Sequence, residues 1–335
     1  MRASPARTVR AAAILILTAL SACDNVEWGG AEVRVVQPPP PEGTTGEVAA
    51  PEEGATLGLP RGSVVFHVVR GQGGDRIIPV AEVATDSLRP LQRPAGVSPE
   101  AYEQRFRGAV LPPNGQYVLF RGGAPVGTFT QTGNGGLTAC GVPTAVGQAT
   151  TVAAAAADQE FIAFRKGLEP EVIGEYVPQQ VDPRIRRYAS IVAERIVLQN
   201  GLQRPRSWPG AQKDLQALDV VRGGTPEMAT TYMVGDNLGM GAADPGGWSV
   251  FYLASYEQRT GYTPVYTEVR DYRKTGKAAP KVIGFLNLNG RGGNEVLVQI
   301  FGRGEAWYEA ISADRGGRWQ RIWEGQPCRE QRPAE

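Results

Sequence analysis

Residues 249–256 read Ser-Val-Phe-Tyr-Leu-Ala-Ser-Tyr, a run rich in aromatic and β-branched side chains that predicts a β-strand. Further runs of this kind follow, and turn residues separate most of them: 265–272, 282–288, 295–301, 306–311 and 319–323. Regularly spaced short strands are typical of an antiparallel sheet, either a β-sandwich or a meander. The last third of the chain therefore predicts a mostly antiparallel β body.

One main helix is predicted over residues 183–200, upstream of these strands. Asp182 is a suitable N-cap, Pro183 fits the first helical position, and Gly201 fits the position just after the helix. Apolar residues recur at helical spacing and predict one buried face: Ile185, Ala189, Val192 and Ile196.

The first half of the body is also predicted to be rich in strands. Residues 62–69 and 77–83 have strand character, a short helix is predicted to begin after Ser98, and residues 116–130 predict a hairpin. Residues 150–164 combine alanines with aromatic and β-branched residues, so helix and strand both stay open there. The predicted fold class is thus α+β, mostly antiparallel β, with residues 61–168 as an N-terminal β-rich domain and 169–335 as a helix plus a C-terminal meander.

A spacer is predicted ahead of this body. Residues 24–60 contain four consecutive prolines, several glutamates and few large apolar side chains. Such a segment cannot bury enough apolar surface to offset the entropy lost on ordering. We therefore predict a disordered tether over residues 23–60.

The first 22 residues have the order of a secretory signal peptide. Arg2, Arg7 and Arg10 precede an apolar run over residues 11–20, and small residues follow. The run is about half of the ~20 apolar residues that a membrane span needs. The pattern therefore predicts export rather than a spanning helix.

Leu20-Ser21-Ala22-Cys23 resembles the lipobox of bacterial lipoproteins. The resemblance implies cleavage before Cys23, acylation of its thiol, and a lipid anchor in the bacterial cell envelope, on the inner or the outer membrane. Several acyl chains hold a protein at a membrane stably, whereas a single chain gives only marginal binding. An ordinary secretory signal with an incidental cysteine is the alternative.

The remaining cysteines, Cys140 and Cys328, form an even pair in an oxidising compartment. They either form a disulfide or are two separate buried thiols. The formal net charge is +1, and removal of a leader with three arginines and no acids leaves −2. This balance argues against a general nucleic-acid binder, so the expected partners are the lipid membrane and other envelope proteins.

No catalytic residue, metal site or cofactor is predicted. His67 is the only histidine, and alternation along its strand places it on the face opposite Phe66 and Val68, as expected for a packed or exposed strand residue. The sequence contains neither the Gly-x-Ser-x-Gly elbow of α/β-hydrolases nor a phosphate-binding Gly-x-x-x-x-Gly-Lys loop.

Two features keep other functions open. A carboxylate pair could hydrolyse envelope glycan beside the aromatic residues that follow Ala306, and the meander offers several acids: Glu257, Glu268, Asp271, Glu295 and Glu309. The segment Asn287-Leu-Asn-Gly-Arg-Gly-Gly-Asn-Glu295 resembles the calcium loop of FG-GAP or integrin-like repeats. It has asparagines and Arg291 where those repeats have carboxylates, so the segment is predicted to be a structural turn without bound metal. A degenerate calcium-stabilised adhesion-type module is the alternative that the resemblance implies.

The sequence therefore predicts a lipid-anchored envelope protein that acts as a non-catalytic binding or structural module. An envelope glycan hydrolase and a degenerate calcium-stabilised module are the alternatives.

Overall fold

The computed structural model describes residues 58–325 and 327, apart from residues 86, 173, 223 and 289–292. The predicted leader, Cys23, Cys328 and the tether up to residue 57 lie outside the described residues. The described part is mostly antiparallel β-structure with one long helix, which confirms the predicted fold class.

The first half forms a closed sheet. Its elements are β1 (Val64–Val69), β2 (Asp75–Val83), β3 (Leu88–Pro90), α1 (Pro99–Val110), β4 (Gln116–Arg121), β5 (Ala124–Leu137), β6 (Pro143–Thr151) and β7 (Glu160–Arg165). The strand order is β1-β7-β4-β5-β6-β2, and β1 also pairs with β2, so six strands close into a ring while β3 extends β2. Tyr102 and Phe106 of α1 are buried with Phe66 and Phe129 in a core of this half.

The structure contains the predicted hairpin, and it decides between helix and strand for residues 150–164. The predicted hairpin turns at Gly122 and Gly123, whose φ angles of +57° and +72° favour glycine. Residues 150–164 contain the end of β6, a short 3-10 turn at Ala153–Ala155 and the start of β7.

The second half contains two four-stranded sheets. The helix-backed sheet has α2 (Pro183–Gln199), α3 (Trp208–Ala211), β8 (Gln212–Leu218), β9 (Glu227–Val234), β10 (Trp248–Glu257) and β11 (Gly261–Asp271). The central sheet follows α4 (Tyr272–Thr275) and has β12 (Ala279–Leu286), β13 (Glu295–Phe301), β14 (Ala306–Ala313) and β15 (Trp319–Glu324). All the predicted strands of the last third are present, but they divide between these two sheets.

The central sheet lies between the other two, as alternation along β13 shows. Val296 and Val298 pack in a cluster with Phe251 of the helix-backed sheet, whereas Leu297 packs in a cluster with Val65 of the closed sheet. Both faces of β13 are buried, which explains why its sequence is nearly continuously apolar instead of alternating with polar residues.

Helix α2 covers the remaining face of the helix-backed sheet. Its predicted apolar residues are buried, and Ile185 and Val192 belong to one cluster with Tyr252. The Asp182 carboxylate accepts a hydrogen bond of 2.7 Å from the backbone N–H of Ile185, and Gly201 has a φ angle of +65°. Both predicted helix ends are confirmed.

The connection between Arg165 and Pro183 contains the predicted boundary between residues 168 and 169. A cluster shared by Val65, Phe164, Leu286 and Leu297 joins the strands on its two sides. The boundary itself stays a prediction.

Side chains from the other sheets close the free edge of the central sheet at β12. Gln216 and Thr231 of the helix-backed sheet donate to the carbonyls of Val282 and Pro280, at 2.8 Å and 2.6 Å. Arg121 of the closed sheet donates to the Ile283 carbonyl at 2.6 Å. These bonds satisfy carbonyls that an exposed edge strand would offer to another chain.

Candidate functional site

A groove of about 750 Å³ lies in the second half of the described chain. This volume lies in the range of small-molecule sites, roughly 300–1,000 Å³. Both sheets of the second half line the groove, as does the connection between β8 and β9; the lining includes Val220, Ser255, Val265, Asn287, Asn294 and Trp319. We call this cavity the groove.

The two ends of the segment 287–295 supply polar groups to the groove. The side-chain amide of Asn294 donates to the backbone carbonyl of Val220 at 2.7 Å, and the backbone carbonyl of Asn294 accepts from the Ser312 hydroxyl at 3.3 Å. The side-chain oxygen of Asn287 is buried and has no hydrogen-bond partner among the residues that the structure describes. An unpaired buried oxygen is costly, and this one has almost no surface open to solvent, so Asn287 contributes to the groove wall rather than offering an open acceptor.

Glu295, at the end of this segment, is hydrogen-bonded to its beginning. Its carboxylate accepts a hydrogen bond of 2.7 Å from the backbone N–H of Leu288, and burial raises its pKa from 4.5 to about 7. Residues 289–292, which include two carboxylate positions and both glycine positions of the calcium-loop resemblance, lie outside the described residues. Across the described part of the chain, no three His, Cys, Asp or Glu side chains gather into a metal site.

A second, smaller cavity of about 200 Å³ lies beside Arg121, Asp158 and Tyr176. Its polar groups bind one another. The Arg121 guanidinium lies 3.4 Å from the Asp158 carboxylate, which also accepts a hydrogen bond of 3.0 Å from Tyr176. This cavity is smaller than usual ligand sites, so the groove is the stronger candidate.

His67 lies in the interior between the closed and central sheets and is 1% exposed. Its Nδ1 is 3.0 Å from the Tyr308 hydroxyl, and its Nε2 is 3.7 Å from the Glu160 carboxylate, which Lys281 contacts at 2.7 Å. Burial is the main cause that lowers the pKa of His67 from 6.5 to about 4. The imidazole is therefore neutral at pH 7 and is closed off from solvent.

Of the predicted candidate acids, Glu309 is buried and is affected by the charge of Glu268. Glu309 is 1% exposed and accepts bonds of 3.1 Å from both Trp307 and Arg321. Burial raises the pKa of Glu309, and the negative charge of Glu268 raises it further. Glu268 itself pairs with Arg270 at 2.5 Å.

The other acids serve local structure. Asp271 caps α4, and Glu257 is exposed and accepts a bond of 2.7 Å from Thr260. The tryptophans form no common platform, because Trp307 and Trp319 pack toward the helix-backed sheet while Trp323 packs toward the closed sheet.

Sequence reasoning missed the buried ion pairs. Lys277 and Asp236 lie 2.6 Å apart with side chains 4% and 3% exposed, and Tyr272 donates to the same carboxylate at 2.9 Å. Lys281 and Glu160 pair across two sheets. The partners are 41 and 121 residues apart in sequence, and no local pattern indicates such pairs.

Comparison of the chain with protein-family models, curated proteins and solved structures finds no match. Of the helices in the described part of the chain, none has the length and apolar character needed to span a bilayer.

Proposed function

We propose that this protein is a lipoprotein of the bacterial cell envelope, anchored through acyl chains on Cys23, and that its body is a non-catalytic binding or structural module. The anchor is supported by the order of residues 1–23, which resembles a lipoprotein signal, and by the proline-rich composition of residues 24–60. A disulfide between Cys140 and Cys328 belongs to the same proposal, because the envelope is an oxidising compartment.

The groove carries the binding part of the proposal. It combines apolar walls at Val220, Val265 and Trp319 with polar side chains at Ser255, Asn287 and Asn294. Ligand sites typically have this composition, in which apolar walls supply most of the contact and a few polar groups fix orientation. The expected ligand has an apolar part and a polar group that contacts Asn287.

Intact mass of the membrane-extracted protein tests the anchor and the disulfide together. We expect an acylated chain that begins at Cys23 and gains the mass of two hydrogen atoms when an added reductant opens the disulfide. An unacylated soluble product would contradict the anchor, and an unchanged mass on reduction would contradict the disulfide.

Site-specific cross-linking in intact cells tests the groove. A photo-reactive residue at Ser255, in the groove, is compared with one at the exposed Ser87. We expect an adduct at position 255 and none at position 87. Asn287→Ala should reduce the yield of the adduct at position 255. The exposed Asn237 makes no side-chain hydrogen bond within the described chain, so Asn237→Ala is the matched control. Equal adducts from both positions would contradict a ligand site in the groove.

The alternative, a carboxylate-dependent hydrolase of envelope glycan, is favoured by one observation. Glu309 and Glu268 interact beside Trp307, and the pKa of Glu309 is raised, as a general acid requires. Release of soluble fragments from purified peptidoglycan, lost in both Glu309→Gln and Glu268→Gln, would support the hydrolase. The absence of release by the wild-type protein would leave the binding module as the better proposal.

A further inference from the structure

The outward side of α2 carries a narrow stripe of arginines and apolar residues. Residues 184, 187, 191, 195 and 198 follow one another at intervals of three and four, so they share one face of the helix. They are Arg184, Arg187, Ile191, Arg195 and Leu198, and all are exposed. This face lies opposite the buried face that contains Ile185, Ala189, Val192 and Ile196. We call it the α2 stripe.

The α2 stripe is strongly positive in a chain that is nearly neutral. Residues 182–206 contain six arginines and two acids, Asp182 and Glu194, whereas the net charge of the full chain is +1. Glu194 pairs with Arg204, which follows the helix, and Asp182 pairs with Arg184 at 3.6 Å. Arg187 and Arg195 form no ion pair with any residue that the structure describes. The overall charge of the sequence conceals this local excess.

Two of the exposed positions in the α2 stripe are large and apolar. Ile191 is 42% exposed and Leu198 is 51% exposed, although the rest of the helix buries its apolar side chains. Arg184 stands over the ring of Tyr256 at 4.9 Å, so its guanidinium is held at the surface beside the helix. Exposed apolar residues flanked by cations on one helix face are typical of helices that lie on a membrane surface.

We propose that the α2 stripe docks the protein onto an anionic phospholipid surface. The arginines fit lipid phosphates, because the guanidinium presents paired donors to phosphate oxygens. Ile191 and Leu198 reach the boundary between head groups and acyl chains, where burial of apolar side chains is favourable. A nucleic-acid backbone offers no such apolar contact. The inference builds on the proposed lipid anchor, since an anchor at Cys23 brings the body to a membrane without specifying which face meets it.

Vesicle co-sedimentation tests the α2 stripe independently of the acyl anchor. Residues 24–335 lack Cys23 but retain every described residue, and the described residues belong to one compact unit. The probes are vesicles of equal parts phosphatidylglycerol and phosphatidylcholine, compared with vesicles of phosphatidylcholine alone. We expect binding to the anionic vesicles that falls with added salt.

A triple variant, Arg184→Gln, Arg187→Gln and Arg195→Gln, removes the charge of the α2 stripe. Its matched control replaces Arg76, Arg89 and Arg303, which are exposed, with Gln and so changes net charge equally. Each arginine at an anionic surface contributes about fivefold to binding, so the α2 triple variant should bind roughly 100-fold more weakly. The control should stay close to wild type, and Ile191→Ser with Leu198→Ser should weaken the binding that persists in high salt.

Equal loss in the two triple variants would overturn the proposal, as would equal binding to neutral and anionic vesicles. Matching circular dichroism spectra and melting temperatures show that all variants fold. The intact mass reports on the anchor separately. An acylated protein whose α2 triple variant still binds vesicles like its control therefore sustains the anchor and refutes docking through α2.

Discussion

The Nδ1 atom of His67, on β1, lies 3.0 Å from the hydroxyl of Tyr308, on β14, and this contact joins the closed sheet to the central sheet. Burial raises the pKa of Tyr308, so its hydroxyl stays protonated and can donate to the neutral imidazole. Glu160 and Lys281 complete the polar cluster around His67. The cluster is a buried polar contact between two sheets that are joined mainly by apolar packing.

Acid should weaken the fold through His67. Its pKa is lowered from 6.5 to about 4, so the unfolded chain takes up a proton between these pH values more readily than the folded chain. The stability is present above pH 6.5 and is lost as the pH falls toward 4. Over that window we expect the wild type to lose roughly 3 kcal/mol relative to His67→Asn, measured by urea unfolding.

Tyr308→Phe is the control for this experiment, because it removes the hydroxyl and keeps the titrating imidazole. It should cost about 1 kcal/mol near neutral pH and keep the wild-type pH dependence. Parallel pH profiles for the wild type and His67→Asn would contradict the prediction.

Glu295 should change the pH dependence of stability in the opposite direction from His67. Its pKa is raised from 4.5 to about 7, so the folded chain binds the proton more tightly than the unfolded chain. Stability should therefore fall as the pH rises through this window. Relative to Glu295→Gln, we expect the wild type to lose roughly 3 kcal/mol between about pH 4 and pH 8. A difference in unfolding free energy that stays constant with pH would rule out a raised pKa.

Breaking the pair between Lys277 and Asp236 should be strongly destabilising, because both side chains are almost fully buried. Lys277→Met leaves the Asp236 carboxylate without its cation and should cost about 3–5 kcal/mol in chemical denaturation. The double variant Lys277→Met with Asp236→Asn should recover part of this loss, since it removes the stranded charge. Additive losses would show that the two groups do not act as a pair.

Calcium should leave the thermal stability unchanged. The described residues contain no group of three or more His, Cys, Asp or Glu side chains that could hold a metal ion, and the segment 287–295 contains the cationic Arg291. The measurement is the melting temperature with added calcium and with chelator, with magnesium as the control cation. A rise specific to calcium would revive the degenerate adhesion-type module, because a ligand that binds the folded state stabilises it.

Much of the secondary structure could be predicted, because it depends on neighbouring residues. Asp182 and Gly201 define the two ends of α2, and the runs at 249–256 and 295–301 correspond to β10 and β13. The candidate site was harder to predict from the sequence. Asn287 belongs to a segment that the sequence marks as a loop, whereas its place in one groove with Trp319 depends on how the sheets pack.

The sequence by itself determined the fold class and the positions of the strands and of the main helix. Strand pattern, helix periodicity and capping depend on residues that are close together in the chain. The sequence also supplies the basis for the proposed anchor at Cys23. Only the tertiary structure decided which strands share a sheet, that His67 meets Tyr308, and that Glu268 and Glu309 come together. These contacts join residues distant in sequence, and they depend on how complementary faces bury one another, which no local pattern records.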